Sequence, residues 1–179
     1  MVTSRQEAQW VLRAQCNDRD ALELLLRSVQ PSLRRYLTGL VGTRHAEDVL
    51  QEVFILVCRK LAWLQDPQLF LPWAFRIASR EAFRHLKKER RWPEQPGDSA
   101  MLEAIPAREA RPSDELLQEL LNGGALSPAS RAVLVLHFQE EMPLADVAAV
   151  LEIPLGTVKS RLAFGLTALR KTLENKRSL

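Results

Sequence analysis

Apolar residues return every three or four positions along most of the chain, and sustained alternation of β-branched residues is nearly absent. The pattern predicts an all-α protein. Helices are expected over about 4–16, 19–40 (bent or broken near Pro31), 44–63 and 72–91, then over about 114–122, 128–140, 143–151 and 155–174. Ser127 followed by Pro128 is a cap and a first-turn proline, which makes that start well marked. After Trp92 the pattern breaks. "PEQPGDSAMLEAIPAREARPSDE" has prolines at 93, 96, 106 and 112, more acids than bases and few large apolar residues. Proline removes a backbone donor and restricts the residue before it, so a long helix is not expected there. We read two small helical domains, 1–92 and 114–179, joined by a linker over 93–113.

Three helical faces carry candidate chemistry. In "TRHAEDVLQEVFILVCRKL", Ala46, Val49, Leu50, Val53, Phe54, Val57 and Leu61 share one face, which leaves Glu47, Asp48, Gln51 and Glu52 largely on the other. Thr43 is the expected cap. Acids near a helix start favour the dipole, which accounts for Glu47 and Asp48 but less well for Gln51 and Glu52. The polar patch reads either as a solvated face or as a surface for a protein partner.

In "PWAFRIASREAFRHLKKERRW", Ala74, Phe75, Ala78, Ala82 and Leu86 form the expected core strip. Arg76, Arg80, Arg84, Lys87, Lys88 and Arg91 recur along another face. At about 1.5 Å per residue this stripe spans roughly 22 Å, the reach of some six nucleotides of one strand. Only Glu81 and Glu89 interrupt it, so nucleic acid is a better expectation than a merely solvated face. Just upstream, Trp63, Phe70 and Trp73 surround a loop with Asp66 and Pro67. These rings read as stacking surfaces for unpaired bases or as core, with Trp73 assigned to the core.

"LADVAAVLEIPLGTVKSRL" is a helix, a tight turn and a second helix. Leu144, Val147, Ala148 and Leu151 give the first an apolar face. Leu155, Val158, Leu162, Leu166, Leu169 and Leu173 continue the core in the second, with Gly156, Lys159, Ser160 and Ala163 turned away. A small, polar outward face at a helix start suits a recognition helix, whose free N–H groups favour phosphate while nearby side chains approach base edges. The turn has Glu152 where glycine is common, so it must either avoid the left-handed conformation or absorb about 1–2 kcal/mol of strain.

Composition narrows the class. Of 179 residues 46% are hydrophobic and 26% charged, a globular balance, and no apolar run approaches the roughly 18 residues of a membrane span. "MVTSRQEAQW" lacks the pattern of a secretion signal, so a cytoplasmic location is expected, with no membrane insertion. Cys16 and Cys58 stand apart, with no CxxC and no histidine pattern at metal-ligand spacing. Both are expected to be reduced and buried, and neither a metal site nor a cofactor is expected. Net charge is only +3, so local charge distribution matters more than the total.

Taken in order, "AEDVLQEVFILVCRKL", "FLPWAFRIASREAFRHLKKERR", a proline-rich linker and "LSPASRAVLVLHFQEEMPLADVAAVLEIPLGTVKSRLAFGLTALRKTL" resemble bacterial sigma factors of the extracytoplasmic-function group. The resemblance implies a subunit that binds RNA polymerase core and directs it to promoters. It places Asp48, Gln51 and Glu52 against the clamp helices of the β′ subunit. Trp63, Asp66, Phe70, Arg76, Arg80, Arg84, Lys87, Lys88 and Arg91 would engage the −10 element and hold an extruded base. Gly156, Thr157, Lys159, Ser160 and Arg161 would read the −35 element. The acidic linker would thread toward the RNA exit path, and an anti-sigma factor is a further partner that many relatives have. The family commonly has Asn, and Asp or Asn, at the positions of Arg80 and Arg84, where arginine shifts the balance toward phosphate. Downstream of Arg161, "LAFGL" is uncharged where the family places further bases, and Phe164 reads as a thymine-methyl contact or as packing.

Two other classes compete. An autonomous helix-turn-helix regulator acting as a dimer would need a dimer helix or ligand pocket, which the acidic patch and basic stripe do not supply. An enzyme acting on nucleic acid would need a catalytic group. His45, His85 and His137 are scattered, neither HExxH nor GxxxxGK[ST] occurs, and Glu47, Asp48 and Glu52 have a partner-binding explanation, so no catalytic residue is assigned.

Overall fold

The computed structural model describes residues 4–89 and 126–177. No strand occurs among them, as the helical periodicity predicts. The chain divides into two compact units, Met1–Arg91 and Trp92–Leu179. Arg91, the proline-rich segment and the helix expected over 114–122 lie outside the described residues.

Among its described residues the first unit has four helices: α1 (Ser4–Gln15), α2 (Arg19–Val41), α3 (Thr43–Lys60) and α4 (Phe70–Lys88), with two short 3₁₀ turns, Leu61–Trp63 and Pro67–Leu69, between the last two. Asn17 turns the chain in a left-handed conformation, and Asp18 caps α2 by accepting a hydrogen bond from the Ala21 amide at 3.0 Å. That amide and the Arg13 guanidinium hold the Asp18 carboxyl below its ordinary pKa. α2 runs through Pro31, which stands on its exposed side, without the break that was one expectation there. The lost backbone bond is offset because Val29 and Leu33, on either flank, are both buried in the core.

Gly42, at φ +81°, ends α2 and starts α3 in one residue. Thr43 is therefore already helical and does not cap, contrary to expectation. Glu47 lies beyond the first turn and instead receives the Arg34 guanidinium of α2 at 2.5 and 3.2 Å. The cysteines are also corrected: both thiols are free but exposed, because they fall on the outer sides of the α1 end and of α3.

The core lies where α2, α3 and α4 meet. Leu25, Leu33, Tyr36, Val53, Val57, Phe75 and Ala78 are fully buried there. Ala74, Ala78 and Ala82 recur every fourth residue on the inner side of α4, and their small side chains let its backbone come close to its neighbours. Tyr36 meets Phe75 edge to face, with ring centroids 5.3 Å apart. The Tyr36 hydroxyl lies 2.6 Å from Ser79 Oγ, which donates to the Phe75 carbonyl at 2.7 Å. Ser79 thus spends its proton on the helix, and tyrosine supplies the one between the two hydroxyls.

Among its described residues the second unit has α5 (Pro128–Leu134), capped by Ser127 as predicted, and continues through a π-helical turn at Val135–Gln139. Val133 to Leu136 are buried without interruption, so this stretch is enclosed on all sides. α6 (Leu144–Leu151) and α7 (Leu155–Arg177) follow. A Cβ on Gly165 would stand 2.8 Å from Leu134 Cδ1, so glycine permits the close approach of α7 to α5.

Ser79→Ala leaves a buried tyrosine hydroxyl without a partner and should cost about 1–3 kcal/mol, whereas the double change with Tyr36→Phe should cost less than the two single changes summed. Burial raises the Tyr36 pKa. Its contribution is therefore complete below the ordinary tyrosine pKa of about 10 and is lost as pH rises above it. Chemical denaturation of the four proteins at neutral pH, and of wild type and Tyr36→Phe above that pKa, checks both statements: the alkaline loss should be smaller in Tyr36→Phe.

Candidate nucleic-acid and partner interfaces

On α3 the expected inward residues Ala46, Val49, Leu50, Val53 and Val57 are buried, and Phe54 is half-buried. Asp48, Gln51 and Glu52 are exposed on the outer side. Asp48 and Gln51, with Gln30 and Glu47, line a groove between α2 and α3 whose apolar part comes from Leu50, Phe54 and Ile55. Ile55 is among the more exposed large apolar residues, an exposure that the helical pattern leaves without a role in the core. Acidic and amide groups beside an apolar floor suit another protein's helix better than water alone.

α4 turns Ala74, Phe75, Ala78, Ala82 and Leu86 inward and leaves Arg80, Arg84, Lys87 and Lys88 exposed. Arg76 is half-buried, with its Nε enclosed and without a hydrogen bond. The guanidinium of Arg84 pairs with Glu81 on its own helix and lies 3.7 Å from Glu52 of α3. The basic stripe and the acidic face therefore adjoin along one seam. Of these contacts the Arg84–Glu52 pair crosses it; both side chains are mostly exposed, and such pairs contribute only about 0–1 kcal/mol. A partner that brings its own charge can replace this contact at small cost.

The loop between α3 and α4 corrects one expectation. Phe70 is 1% exposed, and its ring packs inside the unit as the first residue of α4, so it is not a surface for an unpaired base. Trp63 is the opposite: 76% of it is exposed at the end of the first 3₁₀ turn. Leu69 is also exposed, a second apolar group on the loop that periodicity does not single out. Asp66 accepts a hydrogen bond from the Gln68 amide at 2.9 Å, so its carboxylate shapes the loop. Trp73 is half-buried against Phe70, at a centroid distance of 6.1 Å.

A residue overlooked in the sequence anchors this loop. Gln15, at the end of α1, donates through Nε2 to the carbonyls of Leu61 at 2.9 Å and Leu64 at 2.8 Å. A side-chain bond across more than forty residues leaves no local pattern from which to read it.

In the second unit, Val158, Leu162 and Leu166 of α7 are buried as expected, but Leu155 is exposed. It stands in the first turn, ahead of the point where α7 meets its neighbours. On α6 the buried residues are Val147 and Val150, with Leu144, Ala148 and Leu151 half-buried. Glu152 does take the left-handed conformation, at φ 56° and ψ 42°, and its amide bonds the Ala148 carbonyl. Gly156 and Lys159 are exposed, Thr157, Ser160 and Arg161 half-buried. The Ser160 hydroxyl donates to the Thr157 carbonyl at 3.0 Å. Phe164 is half exposed, two turns further on.

The order of these surfaces matches a known plan. A family model described as Sigma-70 region 2 matches residues 25–92, and one described as Sigma-70, region 4 matches residues 124–171. RNA polymerase sigma-H factor of Pseudomonas aeruginosa is 30% identical over 97% of both chains. The chain belongs to the sigma-70 family. ECF RNA polymerase sigma factor SigW of Bacillus subtilis, 27% identical over 88% of this chain and 91% of its own, places it in the extracytoplasmic-function group. Two solved structures share the fold: CnrH in complex with the cytosolic domain of CnrY (TM-score 0.64, 20% identity, 94% of this chain and 97% of that one) and the sigma factor RpoE of Bartonella quintana in complex with the anti-sigma factor NepR (TM-score 0.65, 24% identity, 85% and 96%). As a sigma factor the protein acts in promoter-directed transcription initiation, which displaces the alternative of an autonomous dimeric regulator. Among the described residues, no helix of this sigma factor is long and apolar enough to cross a membrane.

Gln15→Ala removes two bonds that hold the Trp63 loop and should cost about 1–2 kcal/mol locally. Amide hydrogen exchange at residues 61–69 should speed roughly 5- to 30-fold relative to the core of α2.

Proposed function

We propose that the sigma factor divides its work among three faces. The outer side of α3, with Asp48, Gln51 and Glu52 beside the α2–α3 groove, binds the clamp helices of the β′ subunit of core polymerase. The exposed side of α4, with Arg80, Arg84, Lys87 and Lys88 beside the half-buried Arg76, follows the −10 element, together with Arg91 further along the chain. Trp63, at the tip of the loop that Asp66 shapes, stacks on an extruded base. The start of α7, with Gly156, Thr157, Lys159, Ser160 and Arg161, enters the major groove at the −35 element. Phe70 supports the loop from beneath and has no part in the contact.

The observation that carries this reading is the position of Trp63. A tryptophan left three-quarters exposed on an anchored loop, next in the chain to a basic helix, is costly in water and useful to an unpaired base. The protein supplies no catalytic group in this scheme. It works in the cytoplasm as an initiation subunit, and core polymerase does the chemistry. Held on the polymerase, the two DNA readers acquire a fixed spacing, so that weak contacts at each add to a strong one. An anti-sigma factor that covered the α3 groove would compete with core polymerase for the same side chains.

Promoters selected by the wild-type holoenzyme from a random library provide the test. Trp63→Ala should leave closed-complex binding within about twofold and lower strand opening, read by permanganate reactivity, roughly 5- to 100-fold. Arg161→Ala should weaken closed-complex binding with opening intact once bound. Lys87→Ala with Lys88→Ala should reduce the salt slope of promoter binding by about 2. Normal opening by Trp63→Ala would remove the proposed role of the loop.

A further inference from the structure

One polar cluster has no part in the three faces. His45, in the first turn of α3, and His85, near the end of α4, bring their rings to 4.7 Å between centroids. Glu89 closes the group from the residue that follows α4. Its carboxylate lies 3.7 Å from His45 Nε2 and 3.9 Å from His85 Nε2. Both Nε2 atoms are enclosed and have no hydrogen-bond partner. Two imidazole nitrogens thus converge, out of contact with water, on a carboxylate just beyond hydrogen-bond range. An enclosed polar atom without a partner is costly, and a cation held beside the exposed Glu89 carboxylate would satisfy both ring nitrogens together.

We propose that His45, His85 and Glu89 form a binding site for a divalent transition metal ion of zinc-like preference. The donor set is two imidazoles and a carboxylate, the mixture that such ions take at three-ligand sites with one position left open. The available ligand atoms all lie within 4.8 Å of one another. Tetrahedral ligands about 2.0–2.1 Å from an ion stand roughly 3.3 Å apart, so small side-chain rotations close the site without moving a helix. His85 and Glu89 are one helical turn apart, and the Glu89 amide bonds the His85 carbonyl at 3.0 Å, which fixes their spacing. Forty residues separate the two histidines, so no motif reveals the site in the sequence. The ion would tie the beginning of α3 to the end of α4, making the metal a clamp on the two helices whose outer sides are proposed to meet polymerase and DNA. The site itself does not depend on those proposed contacts, since binding is measured on the free protein.

The full-length chain, without a histidine tag, is titrated with Zn²⁺ against a chelating dye and with Co²⁺ by visible absorption. One equivalent should bind in the low-micromolar range or tighter, with the intense d–d bands of a tetrahedral site. His45→Gln and His85→Gln should each loosen Zn²⁺ at least about tenfold with helical circular dichroism unchanged, while Cys16→Ser with Cys58→Ser should have no effect. If a histidine variant unfolds, the wild-type spectrum still decides: a thiolate-to-cobalt charge-transfer band would overturn the proposal. So would the absence of saturable binding, or binding that survives loss of both histidines.

Discussion

Burial of Tyr36 against α4 sets the geometry on which the first unit depends. Its ring stands edge-on to Phe75 and its hydroxyl reaches Ser79, so one side chain of α2 fixes both the rotation and the depth of α4. A helix has one surface to distribute. Once Phe75, Ala78 and Ala82 face inward, Arg80, Arg84 and Lys87 must face out, and the basic stripe follows from the packing of the apolar one. The same holds for α3, where Val49, Val53 and Val57 take the core and leave Asp48, Gln51 and Glu52 to the surface. Neither face needs a device of its own.

The two faces meet at Glu52 and Arg84, and the seam has a physical consequence. Opposite charges across it lower the field that either face presents in the free protein, while their exposure keeps the contact weak. A partner at Glu52 would release Arg84 for phosphate, and phosphate at Arg84 would release Glu52, so that binding at one face favours binding at the other. Such coupling is small per pair and, being reciprocal, favours the two partners together rather than in a set order.

Much of this architecture is legible in the amino-acid sequence, because helical periodicity reports burial directly. The core strips of α3 and α4, the Ser127 cap and the sigma-factor resemblance all rest on spacing or on motifs. What the sequence conceals falls into two kinds. Some features depend on a boundary shifted by a residue or two: Gly42 displaces Thr43 as the helix boundary, and Leu155 precedes the contact that would have buried it. Phe70 also belongs here, since α4 starts earlier than its pattern suggests and draws the ring into the core. Others depend on contacts between distant segments, such as Gln15 holding the Leu61 and Leu64 carbonyls or the meeting of His45 with His85. No local window contains both partners. The cysteines show the limit of a residue-type preference, because their hydrophobic character does not decide which side of a helix they occupy.

The claim that matters most is that the outer side of α3 joins this chain to the transcription machinery while α4 stays available for DNA. Co-elution of the purified protein with bacterial core RNA polymerase, beside a variant carrying Asp48→Arg and Glu52→Arg, tests it most directly. Stable co-elution of the wild type, abolished in a variant with unchanged helical content, is the expected result. Equal co-elution of the two proteins would contradict the assignment and move the polymerase contact to another face.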